Sequence, residues 1–164
     1  MNLDILKQGE WYFHDLRVYY EDTDFSGVVY HSNYLKFAER GRTECLRSLD
    51  VHHSELAKLD PALAFVIADM SMVFHSPARI DEHIRVATRF TKIGAARLMA
   101  QQLILQMTEP KAPTASDLNV DKDYRLLWSC ELSAACVDFS GKPRRMPKDL
   151  IGDLQQHAAA QNVV

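Results

Sequence analysis

The residues best able to do chemistry in this chain of 164 residues lie near its N-terminus. Ionisable and turn-forming side chains crowd into one short segment there, namely Tyr20, Glu21, Asp22, Asp24, Gly27, Tyr30, His31 and Asn33. A carboxylate in such a segment can attack an acyl carbonyl or activate a water molecule. Backbone N–H groups at the start of a following helix can stabilise the oxyanion that then develops. The segment therefore suits acyl-transfer chemistry.

A structural interpretation of the same residues is also open. Acidic residues before a helix are favoured by capping and by the helix dipole, without any catalytic role. A histidine near a helix start, such as His31, is more often a capping or surface residue. Taken alone, the residue types favour this structural interpretation. His75, on the polar face of a predicted strand, can likewise be explained as a solvated side chain.

The elements that must hold this segment are a strand and a long helix. Trp11 to Tyr20 is rich in aromatic and β-branched residues, which is typical of a strand. Ser32 and Asn33 are favourable cap residues for a helix over Tyr34 to Leu49. Apolar or small residues recur three or four positions apart along that helix, at Tyr34, Phe37, Ala38, Gly41, Cys45 and Leu49. This spacing predicts one buried helical stripe.

The second half of the chain alternates between apolar and polar residues, which predicts the strands of an antiparallel sheet. One predicted strand face carries Val66, Ala68, Met70, Met72 and Phe74. Further strands are predicted around Ile84–Phe90, Arg97–Met107 and Leu126–Cys136, and a short helix over Lys148–His157. The segment 108–123 is predicted to be a long, flexible, exposed loop. We expect a single α+β domain over residues 1–164, whose sheet of about five strands carries the long helix on its apolar face.

Bulk composition argues against several classes of function. A formal net charge of −3 gives no support for nucleic-acid binding. The cysteines Cys45, Cys130 and Cys136 show no paired spacing, so neither a disulfide framework nor a thiolate metal site is expected. Neither a signal peptide nor an apolar stretch long enough to cross a membrane is visible. These features predict a protein of the reducing cytoplasm.

Two blocks of sequence resemble a known family. The first comprises residues 18–24 (VYYEDTD), 27–31 (GVVYH) and 33–35 (NYL), and it continues into the helix with Arg40 and residues 42–44 (RTE). It is similar to the active-site block of the 4-hydroxybenzoyl-CoA thioesterase family, and is nearest to the Tol-Pal-associated acyl-CoA thioesterase branch of Gram-negative bacteria. The second block, residues 76–82 (SPARIDE), resembles the family's turn between two sheet strands. The resemblance implies a hot-dog fold, in which a curved sheet wraps around one long helix.

The resemblance also implies a role for each residue of the site. Asp24 stands where the family has its catalytic carboxylate, and His31 stands where a backbone N–H at the helix start stabilises the oxyanion. Tyr20 lies near the same pocket in the family. Further substrate contacts are implied for Gly27, Val29, Tyr30, Asn33, Lys92 and Arg97. No metal and no separate cofactor are expected, because coenzyme A is part of the substrate.

Partners and rival functions follow from the same resemblance. The expected substrate is an acyl-CoA bound where two subunits pair edge to edge, and such dimers commonly pair into tetramers. An acyl-carrier protein in place of CoA, a cell-envelope partner and a peripheral location at the inner membrane are further options. Two rivals stay open, a hot-dog dehydratase that uses His31 and a non-catalytic acyl-CoA-binding protein.

Overall fold

The computed structural model of the protein describes residues 3–7, 11–108 and 123–160. Within these ranges the chain forms one five-stranded antiparallel sheet and three α-helices. The strands are β1 (Tyr12–Arg17), β2 (Ala64–Phe74), β3 (His83–Ile93), β4 (Arg97–Met107) and β5 (Tyr124–Val137). The α-helices are α1 (Asn33–Ser48), α2 (His53–Leu56) and α3 (Lys148–Ala160), and Leu3–Lys7 and Tyr20–Asp22 form short 3-10 helices. The predicted loop lies outside the described residues, except for Thr108 and Asp123 at its ends.

The sheet has the strand order β1-β3-β4-β5-β2, and every neighbouring pair is antiparallel. The edges of the sheet are therefore β1 and β2. Helix α1 lies against one face of the sheet. The residues of the predicted stripe that are buried there are Tyr34, Phe37, Ala38, Gly41 and Cys45. The prediction of a long helix on the apolar face of an antiparallel sheet is confirmed, and the helix bounds differ from the prediction by one residue at each end.

A buried glutamine joins α1 to the sheet at its centre. The side-chain amide of Gln102 donates to the carbonyl oxygen of Ala38 at 2.9 Å and to the hydroxyl of Thr88 at 2.8 Å. Its own oxygen accepts a hydrogen bond from Arg42 at 2.7 Å. Because unpaired polar groups are costly in a core, these three hydrogen bonds hold α1 at a fixed distance from the sheet.

One detail of β2 differs from the sequence prediction. Val66 and Ala68 were expected on the same face as Met70, but a bulge between Ile67 and Asp69 interrupts the register against β5. Ile67 pairs with a helix-facing alanine of β5, so before the bulge the odd-numbered residues face α1. The expectation for Val66 was therefore wrong, because one extra residue, Ala68 in the bulge, reverses the alternation of the strand.

The opposite face of the sheet is also partly covered. A second apolar cluster there includes Leu6, Trp11 and Leu103, and the 3-10 helix Leu3–Lys7 packs over it. Arg85 lies beside this cluster and makes a paired hydrogen bond to Asp15 at 2.5 and 2.6 Å. None of the helices in the described ranges has the length and hydropathy needed to cross a membrane.

Candidate active site

Asp24 opens a tight hairpin that leads from the Tyr20–Asp22 helix towards α1. The N–H of Asp24 donates to the carbonyl oxygen of Val28, and the N–H of Gly27 donates to the carbonyl oxygen of Asp24, both at 3.0 Å. Gly27 has a φ of +74°, a left-handed conformation that residues with a side chain adopt only with strain. The glycine thus allows the turn to close, and the turn presents the side chain of Asp24 to solvent.

The carboxylate of Asp24 is held by its neighbour Ser26. One carboxylate oxygen accepts hydrogen bonds from the Ser26 backbone N–H at 2.8 Å and from the Ser26 hydroxyl. These two bonds, together with smaller contributions from the Val28 backbone and from His31, lower the pKa of Asp24 below its ordinary value. Asp24 is therefore ionised at neutral pH, as a nucleophile or a base must be.

Asp22 has a different task from Asp24. Its side chain is buried and accepts the backbone N–H of Tyr19 at 2.9 Å. Its carbonyl oxygen accepts the backbone N–H of Tyr30 at 2.9 Å and the side-chain amide of Asn33 at 2.8 Å. Asn33, predicted as a substrate contact, is thus buried and hydrogen-bonded within the protein. These contacts fix the hairpin to the first residue of α1.

A cavity of about 260 Å³ lies beside the start of α1. Its lining residues are Val29, His31, Tyr34, Phe74, His75, Ser76 and Pro77. His31 lies two residues before α1 begins at Asn33. Among the described residues, no acceptor is found for its backbone N–H. The His31 ring packs against Tyr30, with ring centroids 4.3 Å apart. His31 therefore lines the cavity, and its backbone N–H is available to an acceptor on a ligand.

The structure brings together some of the predicted residues and separates others. Asp24 and Gly27 share one short hairpin, and His31 follows it. Val29 and His31 line the cavity, whereas Asp24 and Gly27 are not among its lining residues. Tyr20 is 84% exposed and is not part of the cavity wall.

Lys92 and Arg97 flank the turn between β3 and β4, at the end of the sheet away from Asp24. The stretch of β3 from His83 to Lys92 alone spans about 30 Å at roughly 3.3 Å per residue.

His75 was interpreted from the sequence as a solvated side chain, and it is exposed. The sequence analysis missed its contacts: His75 lines the cavity, and its ring nitrogen Nε2 is 2.8 Å from the hydroxyl of Ser129 on β5.

The tetrapeptide Asp-Phe-Ser-Gly occurs twice, at residues 24–27 and 138–141, a repeat that the sequence analysis also missed. Asp138 has the same hydrogen bonds from its serine, and its pKa is likewise lowered. The Asp-Phe-Ser-Gly turn is thus formed by local hydrogen bonds and does not by itself indicate a catalytic site. Asp24 differs from Asp138 because it lies near the start of α1.

The cysteines offer no alternative nucleophile. Cys45, Cys130 and Cys136 are all buried and free. Burial raises the pKa of Cys45 to about 12 and that of Cys130 to about 11, so both thiols stay protonated at neutral pH. A protonated thiol is a poor nucleophile.

Comparison with known proteins places this geometry in a family. The sequence pattern of the thioesterase superfamily matches residues 26–121, which is more than half of the chain. The chain belongs to the thioesterase superfamily. The predictions of a thioester hydrolase and of the hot-dog fold are thereby confirmed, since solved thioesterases have the same sheet wrapped around one helix.

Individual thioesterase superfamily members are similar over most of their length. The acyl-CoA thioester hydrolase YbgC of Escherichia coli O6:H1 is 36% identical over 142 residues, which cover 86% of this chain and 93% of that protein. The acyl-CoA thioesterase YbgC of Haemophilus influenzae is 33% identical over 136 residues, or 82% of this chain and 88% of that protein. The crystal structure of a probable thioesterase from Bartonella henselae has a TM-score of 0.71 and 35% identity, covering 84% of this chain and 100% of that chain.

Proposed function

We propose that this thioesterase hydrolyses acyl-CoA, with Asp24 as the acting carboxylate and the His31 backbone N–H as the oxyanion donor. The observation that supports the proposal is the position of these two groups on either side of one hairpin. Asp24 opens the hairpin and has an exposed, ionised carboxylate. His31 follows the hairpin and lines a cavity, and no acceptor for its backbone N–H is found among the described residues. The relatives named as acyl-CoA thioester hydrolases support acyl-CoA as the substrate.

The proposed reaction uses the helix start as an electrostatic site. The carbonyl oxygen of the thioester accepts the N–H of His31, where the positive end of α1 stabilises the negative charge of the transition state. Asp24 attacks the carbonyl carbon, or it removes a proton from the water that attacks. Either route breaks the C–S bond and consumes one water, and the products are a carboxylic acid and free CoA. No redox or metal chemistry is needed.

We also propose that two chains pair through their β2 strands. β2 is an edge strand of eleven residues whose side chains are mostly exposed, including Val66, Ile67, Val73 and Phe74. A long apolar edge is a template for pairing with another strand, so an unpaired β2 would favour aggregation. When the β2 strands of two chains pair, each provides hydrogen-bond partners for the free backbone groups of the other. The two sheets then form one continuous sheet of ten strands. Light scattering coupled to gel filtration tests this proposal.

A dimer of this kind explains the position of the predicted CoA contacts. Arg97 pairs with Ala135, and Ala135 pairs with Val66, so Arg97 lies level with the Ala64 end of β2. In an antiparallel pair of β2 strands, this end lies beside the Phe74 end of the partner strand. Lys92 and Arg97 would then approach the partner's site, where they are placed to bind CoA phosphates.

The decisive experiment is an assay of free-thiol release from acetyl-, hexanoyl-, decanoyl- and benzoyl-CoA. We expect the wild-type chain to hydrolyse at least one of them. A folded protein that binds these compounds without releasing thiol would instead be the acyl-CoA-binding protein considered above. Hydration of an enoyl-CoA would identify a dehydratase. The acyl-carrier protein, the cell-envelope partner, the tetramer and the cytoplasmic location stay predictions.

A further inference from the structure

The Asp24 hairpin forms a small antiparallel ladder with the turn between β2 and β3. Thr23 pairs with Val29, and Val28 pairs with Arg79, both in antiparallel register. The N–H of Asp24 donates to the carbonyl oxygen of Val28 at 3.0 Å, so Asp24 lies opposite Val28 in the hairpin. Asp24, Val28 and Arg79 therefore form one row across three neighbouring segments of the chain.

The side chains of this row point away from the core. Residues directly opposite each other in antiparallel segments have side chains on the same face, and the next residue along each segment faces the other way. Val29 and Ala78, which are next to Val28 and Arg79 in the chain, are buried. Asp24 and Arg79 are exposed. Arg79 thus lies on the same face as the proposed catalytic carboxylate, with one residue between them.

The row also sets the separation of Asp24 and Arg79. Opposite residues of antiparallel segments have Cα atoms about 5 Å apart, so two such steps place the Cα atoms of Asp24 and Arg79 about 10 Å apart. The backbone of Arg79 is held at this position by Glu82. The N–H of Arg79 donates to a carboxylate oxygen of Glu82 at 3.0 Å, and the carbonyl oxygen of Arg79 accepts the N–H of Glu82 at 3.2 Å.

Arg79 differs from two other arginines near this turn in having a free guanidinium group. Arg17 donates to the carbonyl oxygen of Asp81 at 3.1 Å. Arg125 donates to the carbonyl oxygen of Pro77 at 3.3 Å. Within the described part of the chain, the side chain of Arg79 makes neither a hydrogen bond nor an ion pair. Its N–H donors are therefore available to acceptors on a ligand.

We propose that Arg79 binds the pantetheine arm of the substrate, at the amide carbonyl oxygen farther from the sulfur atom. The inference rests on the proposed function, in which the thioester carbon is held at Asp24. The carbon of this second amide is about nine bonds from the thioester carbon, or about 11 Å at the roughly 1.2 Å per bond of an extended chain. The first phosphorus atom of CoA is about fourteen bonds away, or about 17 Å.

The separation of about 10 Å between Asp24 and Arg79 thus matches the second amide and not the phosphates. A guanidinium group gives a charge-assisted hydrogen bond to a carbonyl oxygen, which is stronger than a bond between two neutral groups. The contact would hold the arm across the hairpin while the carbonyl carbon is attacked. Because CoA and acyl-carrier proteins present the same arm, Arg79 would serve either carrier.

Shortened substrates test this contact. The acyl group that the wild-type chain hydrolyses best is attached to CoA, to pantetheine and to N-acetylcysteamine. The N-acetylcysteamine thioester lacks the second amide, and only the CoA thioester has phosphates. We expect Arg79→Met to lower kcat/KM about tenfold or more for the CoA and pantetheine thioesters, mainly through KM, because a bond to a charged group is lost in the ground state and the transition state alike.

The N-acetylcysteamine thioester should be hydrolysed equally well by wild-type and Arg79→Met proteins. For the wild-type protein, kcat/KM for this thioester should be lower than for the pantetheine thioester by a factor close to that of the substitution. Removing the side chain and removing the second amide eliminate the same interaction, so their effects should not add. Arg40→Met is the matched control, since Arg40 is an exposed arginine on α1 and the variant loses the same charge. It should hydrolyse all three thioesters as the wild-type protein does.

Three results would overturn the inference and leave the proposed function standing. Equal losses on all three thioesters would mean that Arg79 acts through its charge near Asp24 or through the fold. A loss confined to the CoA thioester would assign Arg79 to the phosphates. Wild-type rates of Arg79→Met on all three would mean that the side chain does not contact the substrate. If the wild-type chain hydrolyses none of them, the proposed function fails and the inference fails with it.

Discussion

The hydroxyl oxygen of Tyr34 accepts a hydrogen bond from the backbone N–H of Ala78 at 2.8 Å. The carbonyl oxygen of the same Ala78 accepts the N–H of Val29 at 2.9 Å. One residue of the turn between β2 and β3 thus holds both the first turn of α1 and the end of the Asp24 hairpin. The second sequence block, residues 76–82, is thus hydrogen-bonded to both parts of the first.

Tyr34→Phe should destabilise the protein by about 1–3 kcal/mol, because the buried N–H of Ala78 loses its acceptor while the ring is kept. Urea unfolding followed by fluorescence measures this change. Tyr20→Phe is the matched control, since the side chain of Tyr20 is exposed and its loss of a hydroxyl should leave the unfolding midpoint unchanged. Equal midpoints for both variants would contradict the role given to Tyr34.

Asp24→Asn should lower kcat for the preferred acyl-CoA on the order of a hundredfold or more, because the amide has nearly the same shape but is neither a base nor a nucleophile. Free-thiol release measures the rate. The duplicated tetrapeptide provides the control, because Asp138→Asn makes the same substitution in a turn with the same hydrogen bonds. Asp138→Asn should retain the wild-type rate. A comparable loss in both variants would indicate damage to the turn rather than to the catalytic group.

Ser26→Ala should raise the pKa of Asp24 towards its ordinary value. The Ser26 hydroxyl bond is the largest cause of the lowered pKa, while the backbone N–H bond at 2.8 Å is kept in the variant. As the pH falls, Asp24 of the variant should therefore become protonated at a higher pH than Asp24 of the wild-type protein does. Carbon-13 NMR of the labelled Asp24 carboxyl group, recorded across acidic pH, measures both titrations. Ser140→Ala should leave the Asp24 titration unchanged.

The parts of the fold that sequence could predict are those set by local periodicity. The buried stripe of α1 follows from apolar residues three and four positions apart, and it is found within one residue of the predicted ends. The bulge at Ala68 leaves no mark in composition, because it depends on how β2 aligns with β5. The meeting of His75 with Ser129 depends on the same register, which only the assembled sheet defines.

In the candidate site, too, local features could be predicted from the sequence, whereas features that depend on distant residues could not. The turn at Asp24 could be inferred from residue types, since its hydrogen bonds lie within a few residues, and the catalytic role of Asp24 stays a prediction. The burial of Asn33 could not be inferred, because it depends on the Asp22 carbonyl turning back towards α1. A cavity of about 220 Å³ between α1 and the sheet likewise combines side chains of α1, α2, β2, β3, β4 and β5, which are far apart in sequence.

Gly41→Ala tests how closely α1 must approach the sheet. A Cβ at this position would lie 2.5 Å from Cγ1 of Val86 and 3.1 Å from its Cβ, so the helix or β3 would have to move. We expect a loss of about 1–3 kcal/mol in the free energy of unfolding, although alanine is the better helix former. Gly152→Ala in α3 is the control, because nothing lies within 4 Å of the added methyl group, and it should leave stability unchanged or raise it by up to about 1 kcal/mol. Thermal unfolding of both variants measures the difference. If Gly41→Ala were as stable as Gly152→Ala, the close approach of α1 to β3 at Gly41 would not limit the stability of the protein.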